Sequence, residues 1–313
     1  MEAHAASGST APPRVRHWRL PGVGAGLGRG VVVLWISLMV LLPLAALTAE
    51  SLSEGLGQFW TTVSTGQGLK SLQLILVCSL IVVAINAVFG TIIAWLLVRD
   101  RFPGKSILNA IIDLPFALPT IVASLILIQL WGNKSPVGID IALTRTAIVV
   151  ALLFVTLPFV VRAVQPLLIE MDREMEEAAA SLGAGGFTIF RRIIFPNLLP
   201  GLAAGVALAF ARALGEYGSV LIFAGGKPDT QVTSIFIGQK IESGDAPGAA
   251  ALSVVLLLLA LACLFVVSMI QRWGNRHERS AGAGAGSGAG VTVMPLSGFD
   301  EPSADTHPED QRD

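Results

Sequence analysis

Arg212 and Glu216 stand four residues apart inside an otherwise apolar run, Leu198–Phe223. A charge near the middle of a bilayer costs roughly 2.5–3.5 kcal/mol on the insertion scale, so it faces a cavity or a partner. At 1.5 Å per residue, Arg212 lies about 20 Å along a helix begun at Leu198. The i, i+4 spacing lets the two side chains pair on one helix face. Two roles fit that chemistry. Arg212 can line an anion pathway, with Glu216 holding it or repelling it when a gate shuts. Alternatively, the two form a structural ion pair tying the run to its neighbours.

Other reactive residues offer less. His4, His17, His277 and His307 all fall in the chain's tails, outside the apolar runs, so no histidine-based catalytic or metal site is expected in the membrane core. Cys78 and Cys263 lie alone in apolar runs and read as small lipid-facing hydrophobes, with no disulfide framework. Pro103-Gly104-Lys105-Ser106 imitates the end of a phosphate-binding loop. The first glycine of that motif falls at Arg99, and no buried strand precedes it. The glycine-rich stretches at Gly22–Gly30 and Ser280–Gly290 hold no complete dinucleotide fingerprint. The chain is therefore expected to bind no cofactor and to have no nucleotide site of its own.

These residues are carried by elements that only a membrane accommodates. Of 313 residues, 53% are hydrophobic and 14% charged, against about 25% charged in soluble domains. The mean hydropathy is +0.70. The apolar residues gather in six runs: Val31–Ala49, Leu72–Val98, Ile111–Trp131, Thr146–Val161, Leu198–Phe223 and Pro247–Ile270. Most approach the roughly 20 residues a helix needs to cross a bilayer. The first run is long for a signal peptide and lacks an Ala-x-Ala site near Leu47-Thr48-Ala49, so it is expected to remain as a span. With Arg212 and Glu216 as the ionisable residues well inside these runs, the chain is expected to be all-α and polytopic, with six transmembrane helices over 31–273. Residues 1–30 read as a flexible cytoplasmic tail. The Gly/Ala-rich, acidic stretch 274–313 reads as a disordered one. The net charge of −1 is uninformative, but with no dense basic patch no nucleic-acid partner is expected, and the apolar runs make membrane lipid the expected surroundings.

Orientation follows from the basic residues. With both termini inside, the inner segments hold Arg14, Arg16, Arg19 and Arg29, then Arg99, Arg101 and Lys105, then Arg162, Arg173, Arg191 and Arg192, and lastly Arg272, Arg276, Arg279 and Arg312. The outer loops hold Lys70, Lys134, Arg145, Lys227 and Lys240. An excess of Lys and Arg marks the cytoplasmic side, so both termini are placed there.

One inner segment, Arg162–Asn197, exceeds the two to eight residues usual between bundled helices. Glu174–Leu182 is rich in Ala and Glu, strong helix formers, and puts Met175, Ala178, Ala179 and Leu182 on one face. Gly183, Gly185 and Gly186 end it. A second amphipathic stretch, Phe187–Phe195, then leads into Pro196. The product is a surface hairpin whose small-residue face suits a partner's groove.

This segment resembles the EAA loop of ABC importer permeases: Glu177-Ala178-Ala179, then Gly183, then Ile193, then Phe195-Pro196 at the family's spacing. Phe195 replaces the usual Leu, one apolar residue for another. The resemblance implies a type I importer permease fold in which residues 165–197 form the cytoplasmic coupling loop. Glu177, Ala178, Ala179, Gly183, Ile193 and Pro196 would then engage an ATPase subunit, which supplies the ATP and Mg chemistry.

Leu157-Pro158-Phe159-Val160-Val161-Arg162-Ala163-Val164-Gln165-Pro166 and Leu114-Pro115-Phe116-Ala117-Leu118-Pro119-Thr120 resemble the sulfate/thiosulfate permeases. Arg212-Ala213-Leu214-Gly215-Glu216-Tyr217-Gly218 resembles both sulfate and molybdate permeases. The resemblance covers about 31–273. It implies sulfate/thiosulfate translocation, with molybdate or tungstate as the alternative. It also implies three partners: a paralogous permease (CysW-type), a homodimeric ATP-binding subunit (CysA-type) and an extracytoplasmic sulfate-binding protein. An ion-gradient-driven carrier is the rival class; it would usually need inward-facing ion ligands and broken helices in both halves. An intramembrane enzyme, the second rival, would need a nucleophile with a base or metal ligands, and the lack of histidines and paired carboxylates in the apolar runs leaves little for either. The stripe Gly201, Gly205, Ala209, Ala213 is a candidate close-packing face. The outer stretch Thr230–Ser243 is a candidate contact for a binding protein.

Overall fold

A computed structural model describes the backbone of residues 23–285, with side chains over 28–269 and at 271. All regular elements among the described residues are helical. The first apolar run becomes α1 (Val23–Ile36) and α2 (Leu42–Ser51), joined without a break by a π-helical turn at Ser37–Leu41. Its side chains lie exposed from Val31 through Leu42, the surface a bilayer covers. A short α3 (Gly55–Ser64) precedes α4 (Gly66–Arg99), whose 34 residues exceed one membrane thickness.

The third run departs from a plain span. It folds as α5 (Lys105–Ala117) and α6 (Thr120–Trp131), whose axes bend by 120° across Leu118-Pro119. Pro119 has no N–H to continue the ladder, and it forces Leu118 into extended backbone, φ −84° and ψ 133°. Glycine at 104, with φ +86°, turns the chain into α5, which settles the Pro103–Ser106 stretch as a helix entry.

The helix α7 (Arg145–Glu170) also outruns its apolar stretch, passing through Pro158 and Pro166. Val164 and Leu168 beyond the run are buried in the bundle, so packing extends the helix where hydropathy ends. Two short helices, α8 (Arg173–Ser181) and α9 (Gly186–Ile189), follow. A π-helical turn at Phe190–Ile194 then runs straight into α10 (Phe195–Leu214). The second amphipathic stretch is thus the lower part of the fifth span. That span stops at Leu214, nine residues short of the expected end at Phe223; the chain breaks at Gly215–Tyr217 and resumes as α11 (Gly218–Ala224).

The outer stretch contains α12 (Thr233–Glu242), and α13 (Ala246–Ala285) completes the bundle. Helix formers such as Gln271, Arg272 and Glu278 carry α13 into the stretch expected as disordered tail. Likewise α1 begins at Val23, inside the expected flexible segment. The remaining parts of both tails lie outside the described residues.

Contacts fix the directions of the helices. Asn86 of α4 meets Leu153 and Thr156 of α7, and Gly90 meets Val160 and Val161, so α4 and α7 run parallel. The bent pair α5–α6 and the loop after it must therefore carry the chain back across. Gly201 lies against Ala163 and Leu167, and Gly205 against Phe159, Val160 and Ala163, so α10 runs antiparallel to α7. Gln271 donates to the Pro200 carbonyl at 2.8 Å and Gly68 nears Leu252, which sets α13 antiparallel to α10 and parallel to α4. Five helices are long and apolar enough to cross, and the bent pair makes six.

The core centres on α7, between α4 and α10. Added Cβ atoms at Gly90, Gly201 and Gly205 would fall within 2.9 Å of atoms on α7, so these glycines admit close helix approach. The small-residue stripe is thus a face packed on α7 of the same chain. Asn86 donates to Thr156 Oγ1 at 2.9 Å, a buried polar link between α4 and α7. Cys78 is buried within the bundle and Cys263 half-buried, both free; the lipid-facing expectation fails for Cys78 because its helix face meets the core.

Candidate functional site

The loop between α7 and α10 builds an exposed helical hairpin on the side where α4 ends. Asp172 caps α8, accepting from the Glu174 N–H at 2.9 Å, and Glu174 and Glu176 in the first turn suit the positive end of the helix dipole. Gly183, at φ +85°, closes it. The Gly183 N–H reaches the Ala180 carbonyl at 2.9 Å and the Ala184 N–H the Ala179 carbonyl at 3.0 Å, the paired bonds of a Schellman ending.

No residue of α8 is buried. Met175, Ala178 and Leu182 are exposed as the expected face, whereas Ala179 turns half-buried toward the bundle. Glu177 and Gly183 are exposed, Ile193 is half-buried, and Pro196 opens α10 at the surface. With Phe187, 76% exposed, and Leu182, 89% exposed, this loop shows large apolar side chains beside charged ones. Such side chains on a segment outside the spans suit contact with a partner protein or with the lipid interface.

Behind that face, α8 meets the ends of α4 and α10. A cavity of about 370 Å³ is lined by Trp95, Glu176, Glu177, Ala180, Phe190 and Ile194, among others. Glu176 forms an ion pair with Arg99, whose side chain is only 9% exposed. The Arg99 guanidinium also lies 5.3 Å from the Trp95 ring centroid, and Phe190 meets Trp95 edge-on at 6.2 Å. Arg99 was legible in the sequence only as an inner-loop charge; its pairing needs the tertiary fold.

In the membrane part, the Arg212–Glu216 pair forms as the spacing predicts, with Nη1 to Oε2 at 2.5 Å. Its setting differs, because Glu216 lies beyond the end of α10. The Glu216 Oε1 accepts from the Ser219 N–H at 2.9 Å and the Ser219 hydroxyl at 2.8 Å, tying it to the first turn of α11. The Ser234 hydroxyl of α12 donates to the Glu216 carbonyl at 2.5 Å. Glu216 is 1% exposed, whereas the Arg212 side chain keeps 32% of its surface open. The carboxylate is a fixed anchor, and the guanidinium keeps part of its surface open. Gly218 packs against Thr120 and Ile121, so the break in the fifth span adjoins the break between α5 and α6.

A second charged pair was missed from sequence. Arg162 of α7 grips Asp113 of α5 bidentately, Nε to Oδ1 at 2.7 Å and Nη2 to Oδ2 at 2.5 Å. Its Nη1 also donates to Gln165 Oε1 at 2.5 Å and Asn109 Oδ1 at 3.3 Å. The signal was a lone acid inside the third apolar run and a lone base just past the fourth. Ionisable residues in the spans are therefore not limited to Arg212 and Glu216.

On the opposite side of the bundle, a groove of about 450 Å³ is lined by Lys70, Gln73, Arg145 and Asp229 with Leu74, Val77 and Pro228. Gln67 donates to the Pro228 carbonyl at 2.9 Å, and Arg145 to that of Asp229 at 3.0 Å, holding the outer loop onto α4 and α7.

Five long apolar helices, a bent pair that makes up to six crossings, a second break at Gly215–Tyr217 and an exposed helical hairpin on one side define a polytopic membrane protein. Comparison with known proteins agrees. Residues 87–280 match the family model described as "Binding-protein-dependent transport system inner membrane component", and the chain belongs to that family. It is 41% identical over 255 residues to the sulfate transport system permease protein CysT of Synechocystis, covering 79% of this chain and 89% of that one. With the Escherichia coli K12 CysT protein it shares 41% over 266 residues, 82% of this chain and 95% of that one. In fold it is similar to a bacterial alginate ABC transporter, with TM-score 0.68 and 14% identity over 80% of this chain and 94% of that one. A chain of the MetNI methionine ABC transporter matches with TM-score 0.52 and 24% identity, over 66% and 95%. The fold is that of type I ABC importer permeases.

Proposed function

We propose that this chain is a membrane-spanning permease subunit of an ATP-driven importer that carries sulfate or thiosulfate inward. The observation that carries this reading is the α8 hairpin, where the Glu177-Ala178-Ala179 to Gly183 spacing folds into a helix capped at both ends and exposed along its apolar face. Kinship with permeases named for sulfate transport, at 41% identity over most of the chain, supports the substrate.

In this reading the side bearing α8 is cytoplasmic and both termini lie there. Glu177, Ala178, Ala179, Gly183, Ile193 and Pro196 form or flank the surface that an ATP-binding dimer engages. That dimer hydrolyses ATP with Mg, and this chain binds no cofactor. A paralogous permease completes the pathway, and an extracytoplasmic sulfate-binding protein docks on the side of α12 and the Lys70–Arg145 groove.

Arg212 is the candidate pathway residue. A guanidinium donates to oxyanions through several N–H groups, and the buried Glu216 holds it in place while leaving part of it open. Glu216 serves as the holder; its burial and its bonds to Ser219 leave no carboxylate free to repel an anion. Breaks in two helices are a feature shared with ion-driven carriers, so the breaks do not separate the classes and energy source must.

The test is uptake of radiolabelled sulfate into proteoliposomes holding this chain, a paralogous permease and the ATP-binding dimer, with the binding protein outside and ATP inside. ATP-dependent uptake, resistant to excess molybdate, is expected. Uptake driven by an ion gradient without the ATPase would make the chain a secondary carrier. Stronger competition by molybdate would reassign the substrate to molybdate or tungstate. In the same system Arg212→Gln is expected to lower uptake at least ten-fold. Normal uptake by an assembled Arg212→Gln complex would remove Arg212 from the pathway.

A further inference from the structure

We infer that Arg99 is a positioning residue that fastens the coupling helix to the bundle, so that movement of α8 reaches α4 and α10 together. The inference rests on the proposed ATP-driven function and concerns how its lever is attached. Among the described residues, α8 buries no side chain, and its other side-chain hydrogen bonds are local: Asp172 to the Glu174 N–H and Ser181 to the Glu177 carbonyl. The Glu176–Arg99 ion pair is the polar side-chain link from this helix to a spanning helix. Without it, α8 is joined to the bundle chiefly through its chain ends and the Glu177–Ala180 edge of the adjoining cavity.

The far end of the link is rigid. Arg99 closes α4, and its guanidinium lies on Trp95 one turn earlier. Trp95 packs against Phe190, in the turn continuous with α10, and Phe190 packs against Phe195 at 6.1 Å. The guanidinium therefore joins α8 to α4, and Trp95 beside it carries the contact on to the turn that enters α10. The Arg99 Nε is buried and has no hydrogen-bond partner, so the hold on α8 comes through the one carboxylate. A push on α8 along its exposed face is resisted at Glu176 and passed to two spans; a helix held only by its ends would tilt instead. Arg101 and Lys105, the other inner-loop charges near α4, form no ion pair among the described residues.

The readout that separates a link from mere scaffolding is sulfate moved per ATP hydrolysed in the complete reconstituted complex. Arg99→Gln and Glu176→Gln are each expected to keep ATP hydrolysis within about two-fold of wild type while transport per ATP falls at least five-fold. The charge exchange Arg99→Glu with Glu176→Arg is expected to recover at least half of the lost coupling. A wild-type ratio in both single variants would overturn the inference, and so would equal loss of hydrolysis and transport, which would signify failed docking. Should wild type itself show no ATP-driven uptake, the proposed function fails and not the link alone. Glu174→Gln, on the exposed first turn and with no side-chain hydrogen bond or ion pair among the described residues, serves as control and is expected to leave the ratio unchanged.

Discussion

Arg162 of α7 and Asp113 of α5 meet through two hydrogen bonds at 2.7 and 2.5 Å, with Asn109 and Gln165 completing the cation's partners. Both side chains keep part of their surface open, 32% and 49%, so the pair is valued as a partly open one, on the order of 1 kcal/mol. Asp113→Asn is expected to lower thermal stability by about that amount, measured as the unfolding midpoint in detergent; an unchanged midpoint would make the pair energetically idle. Asp245 tests a different residue-scale effect at the outer end of α13. A hydrogen bond from Lys240, at 2.6 Å, holds its carboxyl below the ordinary value of 3.8, and Asp245 also accepts from the Gly248 N–H. A carboxyl lowered in the folded state stabilises above its unfolded value and loses that contribution as pH falls through its folded one. Hydrogen exchange in the first turn of α13, corrected for intrinsic rate, should therefore quicken as pH drops below about 4. Asp245→Asn should exchange faster than wild type at neutral pH, with the difference closing as pH falls below about 4.

At the scale of elements, two glycines separate backbone conformation from packing. Gly183 has φ +85° and nothing within 4 Å of a Cβ placed on it, so Gly183→Ala strains only the end of α8, by about 1 kcal/mol. Gly183→Asn is expected to be milder, since Asn tolerates the left-handed region. Gly205 has ordinary backbone but a Cβ would lie 2.8 Å from that of Ala163 and 3.0 Å from the Val160 Cα. Gly205→Leu should drive α10 off α7 and destabilise the chain by about 1–3 kcal/mol or more. The paired outcome is a fall in transport per ATP, with the fold intact, for Gly183→Ala, and a fall in the unfolding midpoint for Gly205→Leu. Identical behaviour of the two variants would contradict this division. The break at Leu118-Pro119 is legible after the fact in Pro119, yet the apolar run continues through it, and hydropathy registers no interruption.

Across the whole molecule, the parallel course of α4, α7 and α13 against α10 places the α8 hairpin and the α12 loop at opposite ends of the bundle. In an otherwise cysteine-free chain, Leu182→Cys should react with an impermeant thiol reagent only from the cytoplasmic side. Ile241→Cys, 63% exposed on α12, should react only from outside. Labelling of both from one side would overturn the topology. The same Ile241→Cys chain, carrying a photoactivatable cross-linker, is expected to capture the sulfate-binding protein when substrate is present; failure across the exposed positions of α12 would remove that loop from the docking surface.

Composition and apolar run length were enough to establish a helical membrane protein with six crossings, because a hydrocarbon layer imposes length and polarity on each helix separately. The short helix of the inner loop was also legible, since the Ala/Glu stretch builds it and Gly183 ends it from local chemistry alone, although its Asp172 cap went unread. What only the tertiary structure decided were the meetings between distant segments: Arg99 with Glu176, Asp113 with Arg162, and the two helix breaks joined at Gly218 and Thr120. Hydropathy reports the affinity of a segment for lipid and carries no information on which face turns to which neighbour. Partners 49 to 77 residues apart are therefore chosen by packing, and packing exists only once the bundle has closed.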